Sequence, residues 1–508
     1  MRRSWRLVLV VIGVIGLLGT GYAWIVSSPT GTSPDDDYHQ TSIWCPTPIE
    51  KHCPIVGTDD EGHPIVEVPQ TVVLSTPALA FSRETSGFNL TGLSDSVMQG
   101  TNRVDDGDYP GFYYDFMHMF VEHDVDRTIL VVRWVNFTIA VVMFGAALLL
   151  LGTAQKRLLV YTLICGALPI NFYFTTSVNP SSWAYTGIAS LWIGLEGFFT
   201  SHGARRVGLG AVALLGAVLA SAARTDASMY CVIIAVAVTL FHLRRVWGRK
   251  LLLLVPLAAA AVGTASYLST RQAASLNVAS SGTVLSFGDS VYLFLSNAIH
   301  LRESLLLFWT MDLGWSDVPS PIVVGDLLLA VTIIWAGYCL IKARCDWHKL
   351  AALVIVGGSI YLLPLVFLQL HQSFLLGVWG FQVRYVAPLI IVFFGMLMAG
   401  SPANDPPRLP WWLSAPCLIG LVVAHGILLH SLIRRYTTGT DVTGFNLNPG
   451  AEWWRGGGPS PMGTWVLGSV GLAVALACCI AVLMTKASTA PGPSSAKTGP
   501  SKQLSSSL

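Results

Sequence analysis

The chain has 508 residues, 53% of them hydrophobic and 11% charged. A soluble domain carries about 25% charged residues, so repeated apolar runs of about 18 to 25 residues point to one transmembrane bundle rather than a string of soluble domains. There is no Walker A, GxSxG or HExxH sequence and no basic, aromatic-interleaved patch, so nothing points to ATP-driven work, zinc hydrolysis or a nucleic-acid partner.

In chain order, a basic start (Arg2, Arg3, Arg6) precedes an apolar run from Leu7 to Val26 with no convincing small-x-small cleavage site after it. Residues 1–26 therefore read as an uncleaved first transmembrane helix. Residues 27–127 form a long polar loop. Its alternating stretch from Ile65 to Leu74 and its aromatic run from Tyr109 to Phe116 predict a small mixed α/β cap. Residues 128–485 hold the rest of the bundle, with hydropathy windows near 128–152, 158–177, 181–199, 206–222, 226–243, 251–268, 321–341, 349–369, 383–400, 411–433 and 463–485. The tight pairs 158–177/181–199 and 206–222/226–243 also read as helices broken at Asn179-Pro180 and around Arg224. The amphipathic stretch 285–312 reads as a re-entrant or interfacial helix. Further polar loops lie at 269–320 and 434–462, and the Ser/Pro-rich residues 486–508 predict a disordered cytoplasmic tail. The fold class is an all-α polytopic membrane protein of about 12 transmembrane helices, range about 10 to 13.

Basic residues set the orientation. Lys156-Arg157, Arg205-Arg206, Arg244 to Lys250 and Lys342 to Lys349 fall on one side together with the N-terminus, which the positive-inside tendency makes cytoplasmic. Acidic residues do the reverse: only Glu196, Asp326, Asp346 and Asp405 lie inside or within spans. Cys45 and Cys53 share a polar loop on the outer side, where a disulfide closing a short loop can persist.

Four features can carry chemistry. Asp35-Asp36-Asp37-Tyr38-His39 stands just outside the first span. Three adjacent carboxylates raise one another's proton affinity, unless a divalent cation such as Mg²⁺ or Mn²⁺ relieves them at Asp35 and Asp36; the bland alternative is a solvated acidic loop. Arg224 and Asp226 interrupt an apolar stretch, where charges either pair with each other or face a cavity, and a guanidinium suits a phosphate or pyrophosphate. Gln382, Arg384 and Tyr385 form a third group at the outer mouth of a late span, where an arginine either snorkels or binds an anion. Asn179-Pro180 is a helix break on the same side. Arg434 and Arg435, basic residues on the outer side, are weaker candidates for a lipid headgroup. The outer aromatics Trp44, Trp379, Trp453 and Trp454 fit an interfacial belt as well as a sugar platform.

In this order, Pro34 to His39, Asn179 to Ala184, Ala223 to Asp226 and Gln382 to Tyr385 resemble the DUF2142 family of bacterial membrane proteins, over about residues 10 to 485. The chain departs from the pattern in having Asp36 where Glu is usual and Val383 where Gly is frequent. The family's architecture is similar to the GT-C glycosyltransferases, which implies a polyprenyl-phosphate sugar as donor and a glycan, lipid or protein acceptor at the outer face of a bacterial plasma membrane. By that resemblance Asp35 or Asp36 would act as base or hold a metal, and His39 would orient an acidic neighbour. Asp37, Asn179, Asp226, Gln382 and Tyr385 would line the substrate, and Arg224 and Arg384 would neutralise the departing phosphate. A flippase of lipid-linked saccharide and a non-catalytic membrane protein remain the alternatives.

Overall fold

The computed structural model describes residues 3–166, 168–270, 286–370, 375, 381–400 and 406–484; the 486–508 tail, Trp379 and Asp405 lie outside them. The first helix, α1 (Arg3–Val26), is apolar nearly throughout. It stops where Ser27, Ser28 and Pro29 follow, since proline cannot continue the helical ladder. A short helix, α2 (Asp36–Trp44), opens the cap. Then come β1 (Ile55–Thr58), β2 (Pro64–Pro69), α3 (Gln70–Leu79), β3 (Met98–Thr101) and α4 (Phe112–His118). The strands make one antiparallel sheet in the order β1-β2-β3. The alternating stretch from Ile65 is thus strand only to Pro69, after which the chain turns helical. Val66 and Val68 bury their side chains with Ile43, Val72, Tyr113 and Met117, and this small core continues onto Val125, Ile129 and Trp183 of the bundle. Cys45 and Cys53 are bridged, with Cα atoms 5.4 Å apart.

The bundle runs α5 (Val125–Leu150), α6 (Thr153–Gly166), α7 (Pro169–Thr175), α8 (Ser181–Thr200), α9 (Gly203–Ala223), α10 (Thr225–Phe241), α11 (Leu243–Trp247), α12 (Leu254–Ser269), α13 (Phe287–Leu306), α14 (Ile322–Lys342), α15 (Trp347–Leu370), α16 (Ala387–Met398), α17 (Trp411–Thr437) and α18 (Pro461–Met484). Among the described residues, 8 helices are long and apolar enough to cross a membrane, or up to 9 if α6 and α7, bent by 98° at their break, count as one span. The chain is therefore a polytopic, mostly helical membrane protein. Three of the twelve expected windows fall outside that set. The 226–243 and 383–400 windows hold the shorter helices α10 and α16. The 181–199 window holds α8, whose residues from Ser181 to Phe199 are all buried. Facing protein rather than lipid, α8 can carry Ser181, Ser182, Tyr185, Thr186 and Ser190, and its mean hydropathy falls accordingly.

Small residues let helices meet at backbone distance. A Cβ at Gly187 would lie 2.5 Å from the Gly216 carbonyl oxygen, which fixes α8 on α9. A Cβ at Gly16 would lie 2.6 Å from the Gly471 carbonyl oxygen, so α1 and α18 touch in the same way. The helix α13 is not among the helices whose length and composition suit a crossing. Gln369 Nε2 donates to Ser290 Oγ at 2.6 Å and Trp309 Nε1 to Thr332 Oγ1 at 3.0 Å, which places the chain well below the end of α14. It then returns to the cap end, where Arg83 pairs with Asp312 at 3.3 Å.

Candidate functional site

Five breaks between elements meet under the cap: the residue before α2, the turn after β3, the α7–α8 and α9–α10 junctions, and the turn of Val383–Tyr385 before α16. A chain that leaves a helix frees its side chains from the packed faces, and here those residues are Asp35, Arg103, Asn179, Arg224, Arg384 and Tyr385.

Asp35 has a left-handed backbone (φ 61, ψ 23) at the N-cap of α2, and its side chain caps nothing. Asp tolerates this region better than most residues, and the turn aims its carboxylate at Arg384, whose Nη2 donates to Oδ2 at 2.9 Å. Arg103 stands 3.7 Å away on the other oxygen. Burial pushes the Asp35 carboxyl up, but Arg384, then His39 and Arg103, outweigh it and hold it below the usual carboxylate range. The preceding backbone is clamped from the bundle. Asn179 Nδ2 donates to the Pro34 carbonyl at 2.9 Å, Tyr173 Oη to Thr32 O at 2.9 Å, and Arg133 to the carbonyls of Ile25, Ser28 and Pro29 at 2.8 to 3.0 Å.

Arg384 is 4% exposed in its side chain. Besides Asp35 it reaches only the Tyr385 hydroxyl, at 3.3 Å, and its Nε and Nη1 find no acceptor among the described residues. Its turn is held by main-chain bonds from neighbouring helices, Tyr185 Oη to Arg384 O and Tyr230 Oη to Tyr385 O, each at 3.1 Å. The Tyr385 ring lies 5.0 Å from the Arg224 guanidinium and 5.1 Å from that of Arg384. Arg224 differs from Arg384 in having spent its donors. Nε and Nη2 grip Asp226 at 3.0 and 3.1 Å, and Nη1 donates to Ser181 Oγ at 3.3 Å. Asp226 accordingly serves Arg224, and the two form a mutual pair that braces Tyr385. Gln382 is half-buried beside them.

The acidic run does not act as one group. In a helix, successive side chains point about 100° apart. Asp37 turns to Arg103, 2.8 Å from its Nε. Asp36 is buried inward, where the Ser33 amide donates to it at 2.9 Å. Its carboxyl is indeed pushed up, to about 7, by burial first and only weakly by Asp37 and Asp35. Asp36 is thus buried at the cap junction, away from the surface that Asp35 reaches. The divergent carboxylates of Asp35 and Asp36 do not fit a shared Mg²⁺ or Mn²⁺, and no group of three or more His, Cys, Asp or Glu placed for a metal occurs among the described residues. His39 stays near Asp35, but its Nδ1 is engaged by the Tyr114 hydroxyl at 2.9 Å, and burial, against the pull of Asp35, lowers its pKa to about 3, so it is neutral near pH 7. Arg434 and Arg435 are tied into the fold. Arg434 holds the carbonyls of Gly444 and Asn446, and Arg435 holds Leu79 O and pairs with buried Asp317 at 2.8 Å.

A cleft of about 430 Å³ opens beside the site, lined by Tyr38, Asp59, Asn102, Arg103, Asp106 and Asp108 among others. Arg103 belongs to both. Neither Arg103 nor Arg133 was singled out in the sequence. Arg103 sits in a polar loop with no marking pattern, whereas Arg133, inside the apolar run 128–152, carries the membrane-depth signal that flagged Arg224.

The family described as predicted membrane protein (DUF2142) matches residues 18–393, a span that contains Asp35, Asn179, Arg224 and Arg384. The chain belongs to the DUF2142 family. Searches of curated proteins and of solved structures gave no match. The DUF2142 match ends inside α16, so α17 and α18, with the α1–α18 contact, extend beyond it.

Proposed function

We propose that this protein is a membrane glycosyltransferase of GT-C-like architecture. It would move a sugar from a polyprenyl-phosphate donor to a glycan, lipid or protein acceptor on the extracytoplasmic face of a bacterial plasma membrane, with its N-terminus cytoplasmic. The observation that carries the reading is the Asp35–Arg384 pair: a part-exposed carboxylate on a buried guanidinium with unused donors, at the bundle end opposite the basic loops. Burial in low dielectric strengthens such a cation toward an anion, and an arginine matches phosphate oxygens in pairs.

In the transfer, Asp35 takes the proton of an acceptor hydroxyl. The acceptor oxygen forms its bond to the anomeric carbon as the bond from that carbon to the phosphate oxygen breaks. The electron pair leaves with the phosphate, which gains one negative charge where Arg384 can meet it. The polar cleft, with the Tyr38 ring at its base and carboxylates for vicinal hydroxyls, suits the acceptor. Arg224 and Asp226 hold Tyr385 in place, and Asn179 positions Asp35 through Pro34.

The test is a deletion strain carrying Asp35→Asn or Arg384→Gln on a plasmid, compared with wild type by envelope glycan and lipid-linked-sugar analysis. The expected result is loss of one glycan component and accumulation of its lipid-linked donor, with both variants failing to restore it. Unchanged glycans in the deletion strain sink the reading. Restoration by Asp35→Asn removes the base.

A further inference from the structure

Resting on the proposed transfer, one further property follows from how Arg384 is shared. We propose that a phosphate anion and the Asp35 carboxylate compete for Arg384, so that anion binding itself turns Asp35 into a base. In the structure Asp35 is the partner of Arg384 that reaches the surface, with its side chain 37% exposed against 4% for the arginine. An anion entering from the surface meets the guanidinium beside or in place of that carboxylate. Nε and Nη1 supply donors that nothing else uses among the described residues.

The charges around Asp35 leave the competition unresolved by other groups. On its own element stand Asp36, facing inward, Asp37, spent on Arg103, and neutral His39. From the turn after β3 comes Arg103, shared between Asp35 and Asp37. From the bundle come Arg384 and Tyr385, and Arg224 behind them is neutralised by Asp226. Only Arg384 gives Asp35 a buried counter-charge. When a phosphate takes a share of that charge, Asp35 is left next to a second anion, and its proton affinity rises. An acid that holds its proton weakly while the site is empty then gains the affinity to accept one from an acceptor hydroxyl, once the donor is seated. The arrangement ties proton abstraction to donor occupancy and protects the donor from premature hydrolysis.

The ligand chemistry is a phosphodiester or phosphomonoester, whether a lipid carrier or a free phosphate. The experiment uses the full chain in nanodiscs and calorimetry at pH 5 to 6 in two buffers of different ionisation enthalpy. The probes are dimethyl phosphate, whose single charge does not titrate there, inorganic phosphate, and dodecyl phosphate added to the bilayer. Wild type is expected to bind the diester with uptake of a fraction of a proton. Asp35→Asn, which keeps a side chain tolerant of the left-handed backbone, is expected to bind about 5-fold more tightly with no proton uptake. Arg384→Gln is expected to weaken binding at least about 10-fold. Equal affinity and equal proton uptake in wild type and Asp35→Asn overturn the competition, whatever becomes of Arg384→Gln. Absence of binding by every probe overturns the anion seat. Preference for dodecyl phosphate over inorganic phosphate names a lipid carrier, and equal binding names free phosphate. Phosphate-coupled proton uptake alongside unchanged envelope glycans would leave this coupling standing while the transferase reading falls.

Discussion

Buried cations occur at both ends of the bundle, and they are used differently. At the end away from the cap, Lys349 is fully buried and its Nζ donates to Leu397 O and Ala399 O, each at 2.7 Å, closing the C-terminus of α16. Arg245 donates to Phe199 O and Arg206 to Phe198 O, which closes α8. Each satisfies carbonyls that a helix end leaves orphaned, and the helix dipole favours a cation there. At the cap end Arg133 does the same for α1 and the turn beyond it. Arg384 does not: it closes no helix, and two of its three nitrogens have no acceptor among the described residues. Buried charge alone does not mark a site. The proposed site rests on the further fact that two nitrogens of Arg384 are unspent among the described residues.

That contrast can be broken by substitution. The largest loss of stability is expected for Lys349→Met and Arg133→Met, about 3 to 5 kcal/mol each by denaturation in detergent, because carbonyls that were paired become buried and unpaired. Cys45→Ser with Cys53→Ser comes next. The bridge spans a sequence separation of 8, and closing so short a loop is worth about 2 to 3 kcal/mol of cap stability. A protease assay on the 27–127 segment reads that loss without melting the bundle. Arg384→Gln is expected to cost less than about 1 kcal/mol while abolishing the product, since Arg384 closes no helix and its ion-pair partner Asp35 is part-exposed and also faced by Arg103. If it destabilises as much as Lys349→Met, the distinction between capping and reactive cations fails.

The smallest effect is in the pH dependence, where two neighbours oppose each other. His39 is lowered to about 3 from 6.5, so the folded chain binds fewer protons than the unfolded one between those values, and its share of stability falls as pH drops from 6.5 toward 3. Asp36 is raised from 3.8 to about 7, so its share falls in the opposite direction, as pH rises from 3.8 to 7. Wild type should therefore vary little between pH 4 and 6.5. Asp36→Asn should expose the His39 slope, seen as a midpoint that falls steadily on acidification.

The sequence reveals Asp35 by its acidic run just outside the first span, Arg224 because it interrupts an apolar stretch, and Arg384 and Tyr385 because they stand at the mouth of one; the fold brings all four together. It presents Asp36 and Asp37 as one acidic group, whereas α2 winds the adjacent side chains about 100° apart, Asp36 inward and Asp37 to Arg103. It leaves Arg103 unmarked, because a polar loop residue acquires meaning only from what the sheet carries it toward. Hydropathy likewise finds the eight long helices, but the 181–199 window takes in α8, whose polar residues are sheathed by protein.

The contact of Gly16 with Gly471 bears on how the protein is made. α1 emerges from the ribosome long before α18, so the glycine face at Gly13, Gly16 and Gly19 gains its partner late, as does the bond from the Thr20 hydroxyl to Gly468 O at 3.1 Å, although that hydroxyl also reaches Gly16 O within α1 at 3.0 Å. The loop carrying Asp35 hangs from the end of that helix. Synthesis of the last helix thus completes the packing of the first along its length, while the stem of the acidic motif is already held from α5, α7 and the turn before α8 by Arg133, Tyr173 and Asn179.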